Sequence, residues 1–569
     1  MPYLFIPLIL LLLQAAGAQA APAAAPADPF PAPPPLVQRL SPEIIFNVLA
    51  GEVAAHRHRL EDSFRYYRQA AEQTGDPQLA ERSARLALFN KDQQALREVV
   101  EFWVKRDPNS LEARRFALSV ALELGADGEV KQQLDELIQL AQAKQEDGFI
   151  LVARALSKSK EQERALQLMD GLVRAHPSQR DAWYAYALLA AEQKAYAKAE
   201  PALQELLKIA PGWDKAILLE VQVLIAQERS QQALQLLREA VTGAPDNKEL
   251  RDSFARLLIQ NQQYQEAYDQ FQHLLKADGD STSLRYPLGV LAMELEKYDL
   301  AEQHFQAIKD SRGRRNEASF YLGRIAEQRK DRSKALDWYR RVLDGEFQLQ
   351  ARIRIADLLA GLGQLAQARD ELRSVRSQWT EQSPAIYAAE AGLLKEQGVA
   401  AEEIWALFEE ALPTHPDHID LLYSRALFAA SQRQVARLEQ DLARVLQQNP
   451  QHADALNALG YSLTDLTDRH QEALGYISQA LALKPDSPAI LDSMGWVQYR
   501  LGNPTKALEY LRQAAAKVTD AEISAHLGEV LWVTGAQEEA RAVWSKAKQE
   551  FPDHPILQET LKRLGVQLP

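Results

Sequence analysis

Few residues in this 569-residue chain sit where their types and spacing could support a reaction. His56 and His58 (HRH) are two positions apart, which on a helix sends the two imidazoles to different faces. A metal-binding pair on a helix needs a spacing of three or four. His415 and His418 (THPDH) fall in a proline-marked turn, where polar side chains are solvated. Ser157-Lys158-Ser159-Lys160 has the composition of a Ser/Lys dyad, but neighbours in a turn are not thereby in contact. There is no G-x-S-x-G elbow and no glycine-rich phosphate loop. The absence of cysteine excludes thiolate nucleophiles, thiolate metal sites, disulfides and a lipid-modified cysteine. No catalytic, cofactor or metal site is expected, and the chain is read as a non-enzyme.

The elements are more informative than these spacings. A small residue recurs every 34 positions, at Ala165, Ala199, Ala233, Ala267, Ala301 and Ala335. A generic amphipathic helix needs only a 3.6-residue period and does not explain a register kept this long. Thirty-four residues is the length of one helix pair of the tetratricopeptide kind. Around Trp183, the residues Tyr186, Ala187 and Ala190 share one face of a first helix. Ala199, Leu203 and Leu206 share one face of a second, and Pro211 ends it. The pattern is strongest at the carboxyl end: Leu459-Gly460, Ala473 and Pro485; Met494-Gly495, Ala507 and Leu511; Leu527-Gly528, Ala540 and Trp544. Glycines at this one repeat position read as packing residues. The expected fold is all-α, a tetratricopeptide-repeat solenoid forming a superhelical array of roughly 13–15 helix pairs.

The expected organisation is a signal over 1–20, a Pro/Ala-rich tether over 21–41, divergent repeat-like helices over 42–146, a regular array over 147–380, and a carboxyl-terminal array over 381–569. In the divergent part, Leu49-Ala50, Tyr67, Ala70 and Pro108 are the clearest landmarks. Leu557–Leu564 (LQETLKRL) has the character of a solenoid's capping helix.

In such an array, first-helix residues just past the small position line the concave groove. In the last three repeats these are Tyr461, then Trp496 and Tyr499, then Glu529 and Trp532, with Asn457 and Asp492 one turn earlier. Large aromatics beside carboxylates and an amide have the make-up of protein-interface anchors, and these seven residues are the expected partner-binding set. Lysine and arginine suited to clamping a peptide's terminal carboxylate are not evident among them. The net charge of −13 (65 basic, 78 acidic residues) argues against binding a phosphate backbone. The arginines at 312, 314, 315 and 324 read as a solvated loop.

The amino terminus reads as an address. Leu4–Leu13 (LFIPLILLLL) is a short apolar core, and Ala18-Gln19-Ala20 has the form of a signal-peptidase site. Seven prolines follow between Ala21 and Pro35. A periplasmic location after cleavage is the expectation, with any association with envelope membranes made through partners; the alternative is an uncleaved amino-terminal membrane anchor.

Three carboxyl-terminal segments, Ala455–Leu463 (ALNALGYSL), Pro488–Arg500 (PAILDSMGWVQYR) and His526–Trp532 (HLGEVLW), resemble a proteobacterial envelope family. This is the family of the lipoprotein binding partner of the carboxyl-terminal processing protease (LbcA family). Ile44–Tyr67 is similar to it too. The resemblance implies a non-catalytic adaptor that binds a periplasmic carboxyl-terminal processing serine protease and presents peptidoglycan hydrolases to it. The chain departs from the lipoprotein pattern, since Ala15-Ala16-Gly17 is followed by Ala18 and not by cysteine, so no lipid anchor is expected. A different class of role, a structural scaffold of exopolysaccharide export or another envelope assembly, is the alternative.

Overall fold

A computed structural model of the chain describes residues 41–157, 159, 161–279 and 281–568. The expected export signal and all of the tether except Ser41 lie outside the described residues, as do Lys158 and Lys160 of the Ser/Lys stretch. Among the described residues there are 31 α-helices and no strand. They pair into fifteen antiparallel hairpins with a single helix, Pro555–Arg563, left over at the end. The all-α helix-pair array expected from the 34-residue period is the fold observed.

The chain divides into two compact units between Ile308 and Lys309. The first runs from Pro42–His56 to Tyr298–Ile308, and the second from Arg315–Gln328 to the lone final helix. Ser41 opens the first helix: its hydroxyl accepts from the Ile44 N–H, and Pro42 follows at a position where a missing N–H costs nothing.

The repeat works by pairing small residues with large ones. Ala165, Ala199, Ala233, Ala267, Ala301 and Ala335 are each at most 1 % exposed. On the first helices, glycines leave room for a ring sixteen residues later. A Cβ added at Gly289 would meet the Phe305 ring at 2.7 Å, and one at Gly323 the Tyr339 ring at 2.7 Å. Gly495 and Gly528 leave room at the same spacing for the Leu511 side chain and the Trp544 ring, and Gly460 does so for Ile477, seventeen residues on. The sequence reading of these glycines as packing residues agrees with their surroundings.

The same device fixes the phase of the amino-terminal hairpin. Gly51 lies against Tyr67, whose ring would meet an added Cβ at 2.9 Å, and Tyr67 is fully buried. The small position is therefore Gly51. The landmark Leu49-Ala50 was set early, because Leu49 is 60 % exposed and takes no part in the core.

Between the helices of a hairpin the chain makes a tight turn through a left-handed residue. In the first unit this residue is Lys194, Glu228, Gln262 and Glu296 in four successive hairpins, with φ of 56–61°. In the carboxyl-terminal hairpins glycine takes the position, as at Gly502 and Gly535.

In the second unit, consecutive first helices from Ser383–Glu396 through Pro555–Arg563 pack on one another. Among the described residues, no comparably close packing joins consecutive second helices there. The stack is tighter on the first-helix side, so the first helices form the inner face there, and the expected partner-binding residues belong to them.

Candidate functional site

Four consecutive first helices build a polar and aromatic cluster at the carboxyl end. Ala453–Leu466 supplies Asn457 and Tyr461, Pro488–Arg500 supplies Asp492, Trp496 and Tyr499, Ala521–Val533 supplies Glu522, His526 and Glu529, and Pro555–Arg563 supplies Arg563. Residues three or four apart on a helix share a face. Hence 492 and 496, and 522, 526 and 529, all turn the same way.

His526 is at the centre. Its Nδ1 lies 2.9 Å from Asp492 Oδ2 and 3.1 Å from Oδ1. The Trp496 ring stacks on it at 4.1 Å with an interplanar angle of 16°, and the Tyr461 ring is 6.1 Å away. Burial alone would push the imidazole below its usual value. The Asp492 carboxylate, helped by Glu522 and Glu529, outweighs burial and holds His526 above it. The pairing with Asp492 therefore favours the imidazolium form over a wider pH range than a free imidazole would keep it. Tyr461 donates its hydroxyl to Glu522 across sixty-one residues of sequence. Burial raises the Glu522 carboxyl, with the nearby acids Asp492 and Asp520 adding to it against the lowering effects of Tyr461 and His526. Burial, followed by the facing Glu522 carboxylate, pushes the Tyr461 phenol far above its usual range. At the far edge, Arg563 grips Glu529 with both guanidinium nitrogens, one at 2.8 Å.

The seven residues singled out in the sequence separate into three groups. Asp492, Trp496 and Glu529 are 4 %, 6 % and 3 % exposed. They support the inner face from beneath and offer almost no contact area of their own, which corrects their reading as surface anchors. Asn457, Tyr461 and Tyr499 are half-buried, with surface left on the inner face. Tyr499 packs on Trp496 at 5.3 Å. Trp532 is half-buried and turns to its own hairpin, 5.9 Å from the Trp544 ring with the Arg541 guanidinium 5.2 Å from its own. It does not join the cluster.

Glu522, His526 and Arg563 were missed. The signal for two of them was present: Asp492 and His526 are 34 residues apart, as are Glu529 and Arg563. Equivalent positions in neighbouring repeats are stacked, so opposite charges one period apart are a pairing code.

The other candidate spacings come to little. His56 closes the first helix and His58 takes a left-handed turn with φ of 58°, so the two imidazoles are parted by the backbone itself. His415 and His418 lie between Ala401–Ala411 and Ile419–Ser431. Among the described residues, no group of three or more His, Asp or Glu side chains is placed to hold a metal ion. Arg312 and Arg315 are exposed, while Arg314 pairs with Glu317 at 3.0 Å. Among the described residues no helix is long and apolar enough to cross a membrane.

Tetratricopeptide-repeat family models match residues 153–212, 224–286, 286–348, 421–488 and 493–555, together more than half of the chain. The chain is a tetratricopeptide-repeat protein. It is 37 % identical over 247 residues to a TPR repeat-containing protein of Pseudomonas aeruginosa, a stretch that is 43 % of this chain and 42 % of that one. It is 26 % identical over 168 residues to the human protein O-mannosyl-transferase TMTC1, covering 29 % of this chain and 19 % of the other. The chain thus spans less than half the length of the curated relatives it matches. Among solved structures, yeast Tom70 is similar with a TM-score of 0.38 at 13 % identity, covering 91 % of this chain and 99 % of that one. A tetratricopeptide repeat protein from Parabacteroides merdae is similar with a TM-score of 0.36 at 16 % identity, covering 43 % and 97 %. The tetratricopeptide architecture suits a protein-interaction scaffold, whose repeats expose a long face instead of a closed pocket.

Proposed function

We propose that this chain is a non-catalytic scaffold whose carboxyl-terminal inner face seats a protein partner. The observation that carries the proposal is the arrangement at that face: partly exposed Tyr461 and Tyr499 are held in place by the Trp496 ring stacked on His526, by the His526–Asp492 pair and by Glu522, which accepts from the Tyr461 hydroxyl. Aromatic side chains with locked rotamers bind with little further loss of conformational entropy, which is what makes them effective contact residues.

The partner proposed is a carboxyl-terminal processing serine protease of the periplasm, with peptidoglycan hydrolases as the substrates brought to it. This rests on the resemblance of residues 455–463, 488–500 and 526–532 to the LbcA family, and on the tetratricopeptide relative in Pseudomonas aeruginosa. A scaffold of this kind acts by raising effective concentration, holding protease and substrate on one surface. The chain itself supplies no nucleophile to the chemistry.

The test is affinity purification of the chain from the envelope of its own cell, followed by hydrolase cleavage assays with and without it. Recovery of the protease, and faster cleavage when the chain is added, are the expected results. Recovery of polymer-export components without a protease would instead favour the structural-scaffold role. Tyr499→Ala should weaken partner capture at least about tenfold, the size of a contact hot spot, while shifting the thermal melt little. Trp496→Ala, by contrast, should lower the melt, since it removes a buried ring from His526.

A further inference from the structure

The first helix, Pro42–His56, buries Asn47, Gly51, Ala54 and Ala55 against its hairpin partner and turns the opposite side outward. That outward side is apolar. Ile45 is 40 % exposed, Phe46 60 %, Leu49 60 % and Val53 50 %. Scattered exposed hydrophobes are ordinary on a protein surface, whereas a contiguous stripe marks a contact site. Every later first helix in the same unit has a hairpin before it; this one begins the described array.

The stripe is symmetric about its own middle. Leu49 lies halfway along the fifteen-residue helix, and Ile45 and Val53 stand four residues to either side of it. The helix carries acidic Glu43 in its first turn and His56 in its last, with Arg57 next. Two copies laid antiparallel, related by a two-fold axis passing beside Leu49, bring each Ile45 against the other's Val53 and Leu49 against Leu49. The same operation carries Glu43 of each copy to the end where the other has His56 and Arg57. Opposite charges and opposite helix-dipole ends then meet at both edges.

We propose that the chain self-associates through this helix as a two-fold homodimer, with the second copy covering Ile45, Phe46, Leu49 and Val53. A helix of this length is about 22 Å long. The area it can bury is below the roughly 800 Å² per partner of a standard stable interface. The dimer is therefore reversible and concentration-dependent.

The experiment uses the chain as its host processes it. Sedimentation velocity over a rising concentration series should show the monomer converting to dimer. Leu49→Glu places two like charges on the axis and should weaken dimerisation by more than about tenfold. Because the chain has no cysteine, Leu49→Cys gives a single thiol at the axis and should form a disulfide-linked dimer under mild oxidation. Ile45→Cys alone should not, whereas Ile45→Cys combined with Val53→Cys should. A chain that stays monomeric throughout the series, with Leu49→Cys remaining a free thiol, overturns the proposal. So does a monomer whose Leu49 thiol resists alkylation, which would mean that the chain's own preceding residues cover the stripe. Leu49 is outside the core, so a melt unchanged by either substitution is expected and keeps the readout separate from folding.

Discussion

Asp492→Asn is expected to destabilise the carboxyl-terminal hairpins by about 3–5 kcal/mol, because it leaves a fully buried imidazolium without its counter-charge. Asp492 and His526 are 4 % and 5 % exposed, and Asp492 is the carboxylate hydrogen-bonded to the imidazole, whereas Glu522 and Glu529 act on it through their charge alone. The same pair gives these hairpins a pH dependence. His526 is held above its unfolded value of about 6.5. Its contribution is therefore complete below about pH 6.5 and is lost as pH rises through the folded-state value. Glu522 is also raised, by burial first. Its contribution is complete below the ordinary carboxyl value and is lost as pH rises through its own raised one, so it acts in the same direction at lower pH. Chemical denaturation at a series of pH values should show stability falling from mildly acidic to mildly alkaline conditions. Asp492→Asn should flatten the upper part of that fall, and Glu522→Gln the lower part. A stability that increases with pH across this range would show that His526 is neutral in the folded chain.

The second large effect lies within the hairpin that carries His526. Trp544 is completely buried and lies directly over Gly528, so close that an added Cβ would have no room. Trp544→Ala is expected to cost about 3–5 kcal/mol from lost burial and the cavity left behind. Gly528→Ala should cost about 1–3 kcal/mol by overpacking. The two should be strongly non-additive, because the methyl that clashes with the indole has space once the indole is gone. Urea denaturation of the four members of this cycle measures the coupling. Additive losses would mean that the two residues do not meet.

The contrast between these two sites explains what could be read in the sequence. Gly528 and Trp544 are sixteen residues apart within one hairpin, and the same spacing recurs at Gly289 and Phe305 and at Gly323 and Tyr339. Packing repeated in every unit leaves a period, and the period gave both the fold and the buried positions. Phase was lost only at Gly51, where exposed Leu49 imitated a core residue. The site is another matter. Tyr461 meets Glu522 across nearly two periods, a contact that depends on how tightly the first helices stack and that no local spacing encodes. Trp496 was placed on the right face, but its depth was not readable, because an aromatic at that position serves equally as a contact residue or as the floor beneath one. Asp492 with His526 and Glu529 with Arg563 were readable in principle through complementary charges one period apart.

The left-handed turns of the first unit have a mechanical meaning. Lys194, Glu228, Gln262 and Glu296 each hold a conformation that costs a residue with a side chain about 1 kcal/mol or more. A hairpin in such an array is coupled only to its neighbours, so the strain is relieved one hairpin at a time and not across the whole chain. Pulling on the ends should therefore give a staircase of short, nearly equal yielding steps through this stretch, the behaviour of a spring with many soft links. Replacing the four turn residues with glycine should raise the force at each step without altering its length.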